Sequence, residues 1–320
     1  MLDKNRHTPT SENIELVTHT SVLLQETIDG LDIQSDDVVF DGTLGAGGHS
    51  YEIAQLYPAI KMIIGTDLDP DALLRTEQKL ASTFVKTYFA ETNFRDIASV
   101  IEQAGETGVD KILLDLGVST FTFFDSERGF SFKKDEPLLM TFGDPEKSIV
   151  TAEQVVNDWD EESLETIFSG YGEERRSKLL ARKIVQARQQ ARITTSLELA
   201  TIVEKALGKK GKIHPATKIF QAIRIAVNDE LGALQQVLSD GWSILRPGGR
   251  MAIISFHSLE DRIVKRYFRE LAQSENARLI TKHPIVPTDN EVRDNKKARS
   301  AKLRIIEKSN TTTYNEKKLN

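Results

Sequence analysis

The chain has 320 residues, 39% of them hydrophobic and 28% charged, with a formal net charge of −6 and no cysteine. That length supports a large core in one or two domains, and no apolar run approaches the roughly 20 residues that span a bilayer. The missing cysteines exclude disulfides, thiolate zinc or iron–sulfur sites and a thiol nucleophile. The N-terminal stretch lacks the apolar core of a signal peptide, so a soluble, cytoplasmic protein without membrane contact is expected.

Behind a polar arm, VTHTSVLLQETIDGL spaces Val22, Leu23, Ile28 and Leu31 as a helix does, which predicts a helix behind a Thr/Ser cap. DVVF reads as a short buried strand, and HSYEIAQLY as a helix that opens on the glycine loop DGTLGAGGHS. KMIIGTD is the next strand. Asp69 followed by Pro70 forms an N-cap with proline at the first helical position, opening PDALLRTEQKLAS. KTYFA, a helix from Phe94 to Ala104 and the strand KILLDL continue the alternation, which predicts a parallel sheet covered by helices on both faces.

The alternation stops after Ser119. From Val150 to about Gly211 only helical patterns occur, among them TSLELATIVEKAL, in which Thr195 and Glu198 have capping-box spacing. Strand patterns return at GRMAIIS, after the turn LRPGG, and at AKLRIIE. The expected organisation is an α/β domain from 1–134 and 214–320, interrupted by a helical insertion at 135–213. Two runs in or beside that insertion contain no acid: Arg175 to Arg192 with seven Lys or Arg, and Lys205 to Arg224 with six. In an acidic chain they suggest a surface facing a polyanion, the alternative being a solvated helix face.

The glycine loop matches two common ligands poorly. A phosphate-binding P-loop ends in Gly-Lys-Ser/Thr, and GGHS has no lysine; a dinucleotide fingerprint needs a third glycine or alanine where this chain has Ser50. The acid before the glycines, Asp41, repels a pyrophosphate but suits a cationic ligand. S-adenosyl-L-methionine meets that demand, with a sulfonium, an ammonium and no phosphate. Its two ribose hydroxyls call for a carboxylate at the end of the second strand, where Asp67 stands 20 residues after Gly47. Asp115 ends KILLD, at the carboxyl edge where doubly wound sheets bind ligands.

DGTLGAGGHS, GTDLDPDA, ILLDLGVS, RGFSF, YGEERRSK, HPATKIFQAIRIAVNDEL and LRPGGRMAIISFHSLEDRIVKRYF, in that order, resemble the bacterial ribosomal small-subunit RNA methyltransferase H family, also called MraW. The resemblance runs from about His19 to Ser309. It implies a class I S-adenosylmethionine-dependent methyltransferase, a Rossmann-like doubly wound sheet, acting on the exocyclic N4 of a cytosine in the decoding centre of 16S rRNA within the small subunit. It places the methyl donor against Gly45, Gly47, Gly48, His49, Asp67, Phe94 and Asp115. The family's usual S-P-Q-L-D after DLGVS is replaced by Thr120 to Phe124 before Asp125, so its glutamine contact falls on Thr122, whose hydroxyl can supply part of that hydrogen bonding. The family's D-G-P-L-D-M-R-M reads DEPLLMTF here, without one carboxylate and the arginine.

The absence of cysteine also bears on the methylated atom. Thiolate attack at cytosine C6 and radical methylation both need cysteines, which leaves direct transfer to a nitrogen or oxygen. Asp115, Ser119 and the carbonyls of Asp115 to Val118 are the expected acceptors for the amino hydrogens. His257 in SFHSLED either orients substrate or caps a helix. An amino methyltransferase acting on DNA or on a small molecule, and a nucleotide-binding module without turnover, are the alternatives.

Overall fold

In the computed structural model, which describes residues 21–117, 127–208, 214–274 and 277–310, seven strands form one sheet. They are β1 (Val38–Asp41), β2 (Met62–Asp67), β3 (Thr87–Glu91), β4 (Val109–Asp115), β5 (Leu245–Ser255), β6 (Ala277–Leu279) and β7 (Lys302–Lys308), in the order 3-2-1-4-5-7-6. The first five pair in parallel, as expected from the alternation. β7 instead runs antiparallel between β5 and β6. The difference has a simple cause: no crossover helix carries the chain back after β6, so the next strand enters from the same end of the sheet and must run the other way. The doubly wound α/β sheet expected from the sequence is thus present, with one antiparallel strand.

Strand residues alternate between two apolar layers, as the period of two requires. Val38, Phe40, Met62, Ile64, Ile112, Leu114, Met251 and Ile253 belong to one cluster; Val39, Ile63, Leu113, Ala252 and Ile254 belong to the other. Helices α1 (Leu24–Leu31), α2 (Gly48–Leu56) and α3 (Pro70–Leu80) cover the second layer through Ile28, Leu31, Ile53 and Leu80. α4 (Ile97–Gln103) covers the first through Ile97, Val100 and Ile101. α1 lacks the Thr/Ser cap expected of it. Its N-cap residue is Leu23, at φ 51° and ψ 37°, with no side-chain cap. The Leu23 N–H instead donates to Glu291 Oε1 at 2.8 Å, so a carboxylate from the far end of the chain meets the orphan donor.

The intervening segment supplies α5 (Ala152–Asp158), α6 (Glu161–Gly170), α7 (Ser177–Arg188), α8 (Ser196–Leu207) and α9 (Ala216–Asn228). Thr151 and Thr195 close capping boxes with Gln154 and Glu198, the second as read from the sequence. A third apolar cluster holds these helices together through Val155, Phe168, Leu180, Ile184, Val203 and Ile223, and it also takes in Phe130 and Leu138. α9 turns directly into α10 (Glu230–Ile244) at Asp229, whose φ is 47°. α10, with α11 (Ser258–Gln273), returns to the sheet layer of Phe40 through Leu234, Val237, Val264 and Phe268. A short helix α12 (Asp289–Asp294) and a 3-10 turn (Lys296–Ser300) precede β7.

Much of the basic run along α7 is engaged inside this helical unit. Arg176 donates to the Leu207 carbonyl at 2.6 Å and Arg188 to the Val156 carbonyl at 2.9 Å. Arg182 faces Glu161 at 3.6 Å, and Arg192 binds Glu153 and Asp158 at 2.7 and 3.0 Å. Arg175 and Lys178 are exposed.

Candidate active site

The carboxyl ends of β1, β2 and β4 are neighbours, and each ends in an aspartate: Asp41, Asp67 and Asp115. The glycine loop is pinned over them by backbone bonds. Gly42 N–H donates to the Leu113 carbonyl at 3.0 Å, Leu44 N–H to the Thr66 carbonyl at 3.2 Å, and the Thr66 hydroxyl to the Gly42 carbonyl at 3.0 Å.

Asp41, expected from the sequence to approach the ligand, is turned into this scaffold. It is 2% exposed; its Oδ2 accepts from the Ser50 hydroxyl at 2.6 Å and its Oδ1 from Thr43 N–H at 3.1 Å. Burial pushes it up to about 6. Its work is to tie β1 to the first turn of α2. The open carboxylates are the other two.

Asp67 accepts from Gly45 N–H at 2.8 Å through Oδ2 and from Asp69 N–H at 2.9 Å through Oδ1. Burial raises it above the ordinary carboxylate range. Asp69 performs the capping read from the sequence: it accepts from Asp71 N–H and from Arg75, both at 3.1 Å. A carboxylate holds about four acceptor directions, so Asp67 has capacity left for hydroxyl donors after its two backbone bonds.

Asp115 has a quarter of its side chain open to solvent, while its Oδ1 is buried and has no hydrogen-bond partner among the described residues. Burial, then the negative charges of Asp41 and Glu260, push it up to about 8. His49 lies in the first turn of α2 with Nδ1 at 3.9 Å from Asp115 Oδ2. The Asp115 N–H donates to the Thr43 hydroxyl at 2.6 Å, joining β4 to the glycine loop.

The glycines differ in what demands them. Gly47 is the N-cap of α2 at φ 68°, and a Cβ there would lie 2.7 Å from Thr76 Oγ1. At Gly48 it would lie 2.0 Å from Ser21 Oγ. Gly45, at φ 52°, has no atom nearer than 3.9 Å to such a Cβ, so its face is open. Phe94 follows β3, opens a 3-10 turn and stands beside Gly42, where an added Cβ would come within 2.9 Å of Phe94 Cβ. The structure therefore gathers Gly45, Gly47, Gly48, His49, Asp67, Phe94 and Asp115 around one end of the sheet. Ser119 and Thr122 lie outside the described residues.

Two groups near Asp115 carried no local signal in the sequence. Lys297 sits in the 3-10 turn before β7, which enters the sheet with Lys302 beside Ser255 at this same end. Burial lowers it to about 8, against the attraction of Asp115. Glu260 opens α11, where it accepts from Phe256 and His257 N–H at 2.8 and 3.2 Å. Burial opposes its ionisation, but the hydrogen bonding and charge of His257 outweigh that and hold it below the usual carboxylate range. His257 is the N-cap of α11, with Nε2 3.1 Å from Glu260 Oε1. Glu230, His257 and Glu260 bring ligand-type atoms within 4.8 Å of one another, and the positive charge beside them is Arg224, which grips both oxygens of Glu230 at 2.7 and 2.8 Å.

Comparisons with known proteins agree along nearly the whole chain. The ribosomal RNA small subunit methyltransferase H of Deinococcus deserti is 46% identical over 295 residues, 92% of this chain and 94% of its own length. The protein of the same name from Carboxydothermus hydrogenoformans is 42% identical over 308 residues, 91% and 98% of the two chains. Among solved structures, an rRNA methylase from Streptococcus thermophilus aligns at 13% identity with a TM-score of 0.42, over 91% of this chain and 99% of its own. The sequence pattern of the MraW methylase family matches residues 16–309, and the chain belongs to that family.

Proposed function

We propose that the protein transfers a methyl group from S-adenosylmethionine to the exocyclic N4 of a cytosine in the decoding centre of 16S rRNA, within the small ribosomal subunit. Family membership and the names of the two bacterial relatives support the reaction and the rRNA substrate. The observation that carries the site is Asp115, at the same sheet end as the glycine loop: its buried carboxylate oxygen, without a partner among the described residues, is completed by a cationic donor group.

The residues present fit the methyl donor. Asp67 has acceptor capacity for its ribose hydroxyls, the open face of Gly45 lets backbone approach it closely, Phe94 offers an aromatic face, and Gly47, Gly48, His49 and Asp115 border the charged end. When bound, the donor supplies an electrophilic methyl group on a sulfonium. The chain's own task is orientation and acceptance: Asp115, with Ser119 as the second acceptor read from the sequence, positions the target amine and takes hydrogen bonds from its protons, while Thr122 is assigned to the methyl donor. An acceptor there favours the pyramidal nitrogen over the conjugated one, and geometry of this kind accounts for most of the catalysis expected without a covalent intermediate.

The helical unit, read from the sequence as 135–213, is the proposed RNA-facing part, and cytoplasmic rRNA is the proposed substrate pool. Among the described residues no helix is long and apolar enough to cross a membrane. The test is transfer of labelled methyl from S-adenosylmethionine to small subunits lacking the modification, followed by nucleoside analysis. Label in N4-methylcytidine supports the reading. Label only in DNA or in a small molecule overturns it.

A further inference from the structure

A second surface, away from the glycine loop, gathers positive charge into a cleft. It lies between α11 and the β6–β7 edge of the sheet and is lined by Lys265, Arg269, Thr281, Lys282 and Arg304. Lys265 and Arg269 are four residues apart and so share one face of α11. The cavity is about 10 Å³, which admits one oxygen-sized group. Thr281 Oγ1 is buried and has no hydrogen-bond partner among the described residues. Arg304 is fixed by its Nε bond to Asp261 at 2.7 Å, and Lys302 takes the same carboxylate at 3.0 Å. Glu307, farther along β7, is held by Arg250 and Arg278 at 2.8 and 3.0 Å. These two acids are thus each matched by two cations.

Even with Asp261 offsetting Arg304, Lys265, Arg269 and Lys282 leave the cleft with a surplus of positive charge, and in a protein of net charge −6 that arrangement calls for an anion. The chemistry selects its kind. A hydroxyl at a depth that admits one oxygen, under a rim of cations, matches a phosphodiester: one non-bridging oxygen accepts from Thr281 while the rest of the charge faces Lys265, Arg269 and Lys282. α11 begins at His257, on the loop beside Gly117, and Lys265 lies about 12 Å along its axis, within reach of nucleotides flanking a target base held at Asp115.

We infer that this cleft binds a backbone phosphate of the RNA substrate and helps set the register of the strand on the protein. The inference rests on the rRNA reading above. Binding of small subunits lacking the modification, measured against a series of salt concentrations, tests it in wild type, in Thr281→Val, in Thr281→Ser and in the combined Lys265→Gln, Arg269→Gln, Lys282→Gln protein. The triple variant should show a slope of log affinity against log salt lower by about 1–2, and Thr281→Val should bind about tenfold more weakly. Thr281→Ser, which keeps the hydroxyl, should restore affinity, and S-adenosylmethionine affinity should be the same in all four proteins. If wild type binds with a steep salt slope and both charge and hydroxyl variants match it, the cleft does not meet RNA. If wild type itself has no salt-dependent affinity for the subunit, the rRNA reading and the cleft fall together.

Discussion

Gly45 donates its backbone N–H to Asp67 Oδ2 across 2.8 Å, which fastens the open tip of the glycine loop to the acid that ends β2. The loop's position and the carboxylate's orientation are therefore one structural variable. Asp67→Ala should lower S-adenosylmethionine affinity about 10- to 150-fold, the equivalent of losing roughly 1.5–3 kcal/mol of hydrogen bonding to a charged acceptor. Asp67→Asn, which keeps one carbonyl acceptor, should fall between. Calorimetry that gives the same dissociation constant for wild type and Asp67→Ala would remove Asp67 from the ribose.

Asp115 sets a pH dependence. Its folded value of about 8 stands above the ordinary 3.8, so the folded protein keeps a proton there that the unfolded chain has released. Its contribution to stability is complete below the unfolded value and is lost as pH rises through about 8. Asp115→Asn should flatten the fall in Tm across that window; some slope should persist because Asp41, raised to about 6, acts in the same direction. Wild-type affinity for the cationic donor should rise over the same window as Asp115 ionises, with proton release visible as a dependence of binding heat on buffer. Parallel Tm profiles for the two proteins would assign the titration elsewhere.

Gly47→Ala should destabilise the fold for two separable reasons. An alanine at φ 68° costs about 1–2 kcal/mol, and its Cβ meets Thr76 Oγ1 at 2.7 Å. Thr76→Ala removes the two closest atoms, Oγ1 and Cγ2, and leaves only Cβ at 3.1 Å, so it relieves most of the second cost but not the first, and the double variant should melt above Gly47→Ala and below wild type. Equal melting of the single and double variants would show that the contact carries no weight.

The ion pair Arg224–Glu230 is buried and joins α9 to α10. Arg224→Met should cost about 3–5 kcal/mol because it strands the Glu230 carboxylate, while Arg224→Met combined with Glu230→Leu should recover most of that loss. Denaturant unfolding of the two proteins decides it; equal losses would mean that packing and not the stranded charge is responsible.

Cations along α7 should separate into two groups. Arg188→Ala and Arg192→Ala remove bonds to the Val156 carbonyl and to Glu153 and Asp158, so they should lower thermal stability and leave the salt dependence of RNA binding intact. Arg175→Glu with Lys178→Glu, both exposed, should do the reverse, lowering the salt slope by about 1–2 at unchanged stability. A slope insensitive to the second pair would leave this run as a solvated face.

Features that depend on neighbours within four residues were legible in the chain itself. The buried strands VVFD and MIIGTD, the Asp69-Pro70 cap and the Thr195–Glu198 box all appear where the sequence places them, because short apolar runs and helix caps are local features. Seven of the proposed site residues, Gly45, Gly47, Gly48, His49, Asp67, Phe94 and Asp115, lie at one end of the sheet. What stayed hidden depends on partners far along the chain. Asp41 and Asp115 are both strand-ending aspartates, and it is the folding of α2 back over β1, bringing Ser50 to Asp41, that makes one a scaffold group, while Asp115 has an oxygen without a partner among the described residues. Leu23 is capped by Glu291, β7 enters between β5 and β6, and Lys297 reaches the site beside Asp115, each through long-range packing that no local period encodes. The basic run on α7 shows the same limit: its charge is written in the sequence, but which guanidinium stays exposed and which meets a helix-end carbonyl is decided by the helices that fold against it.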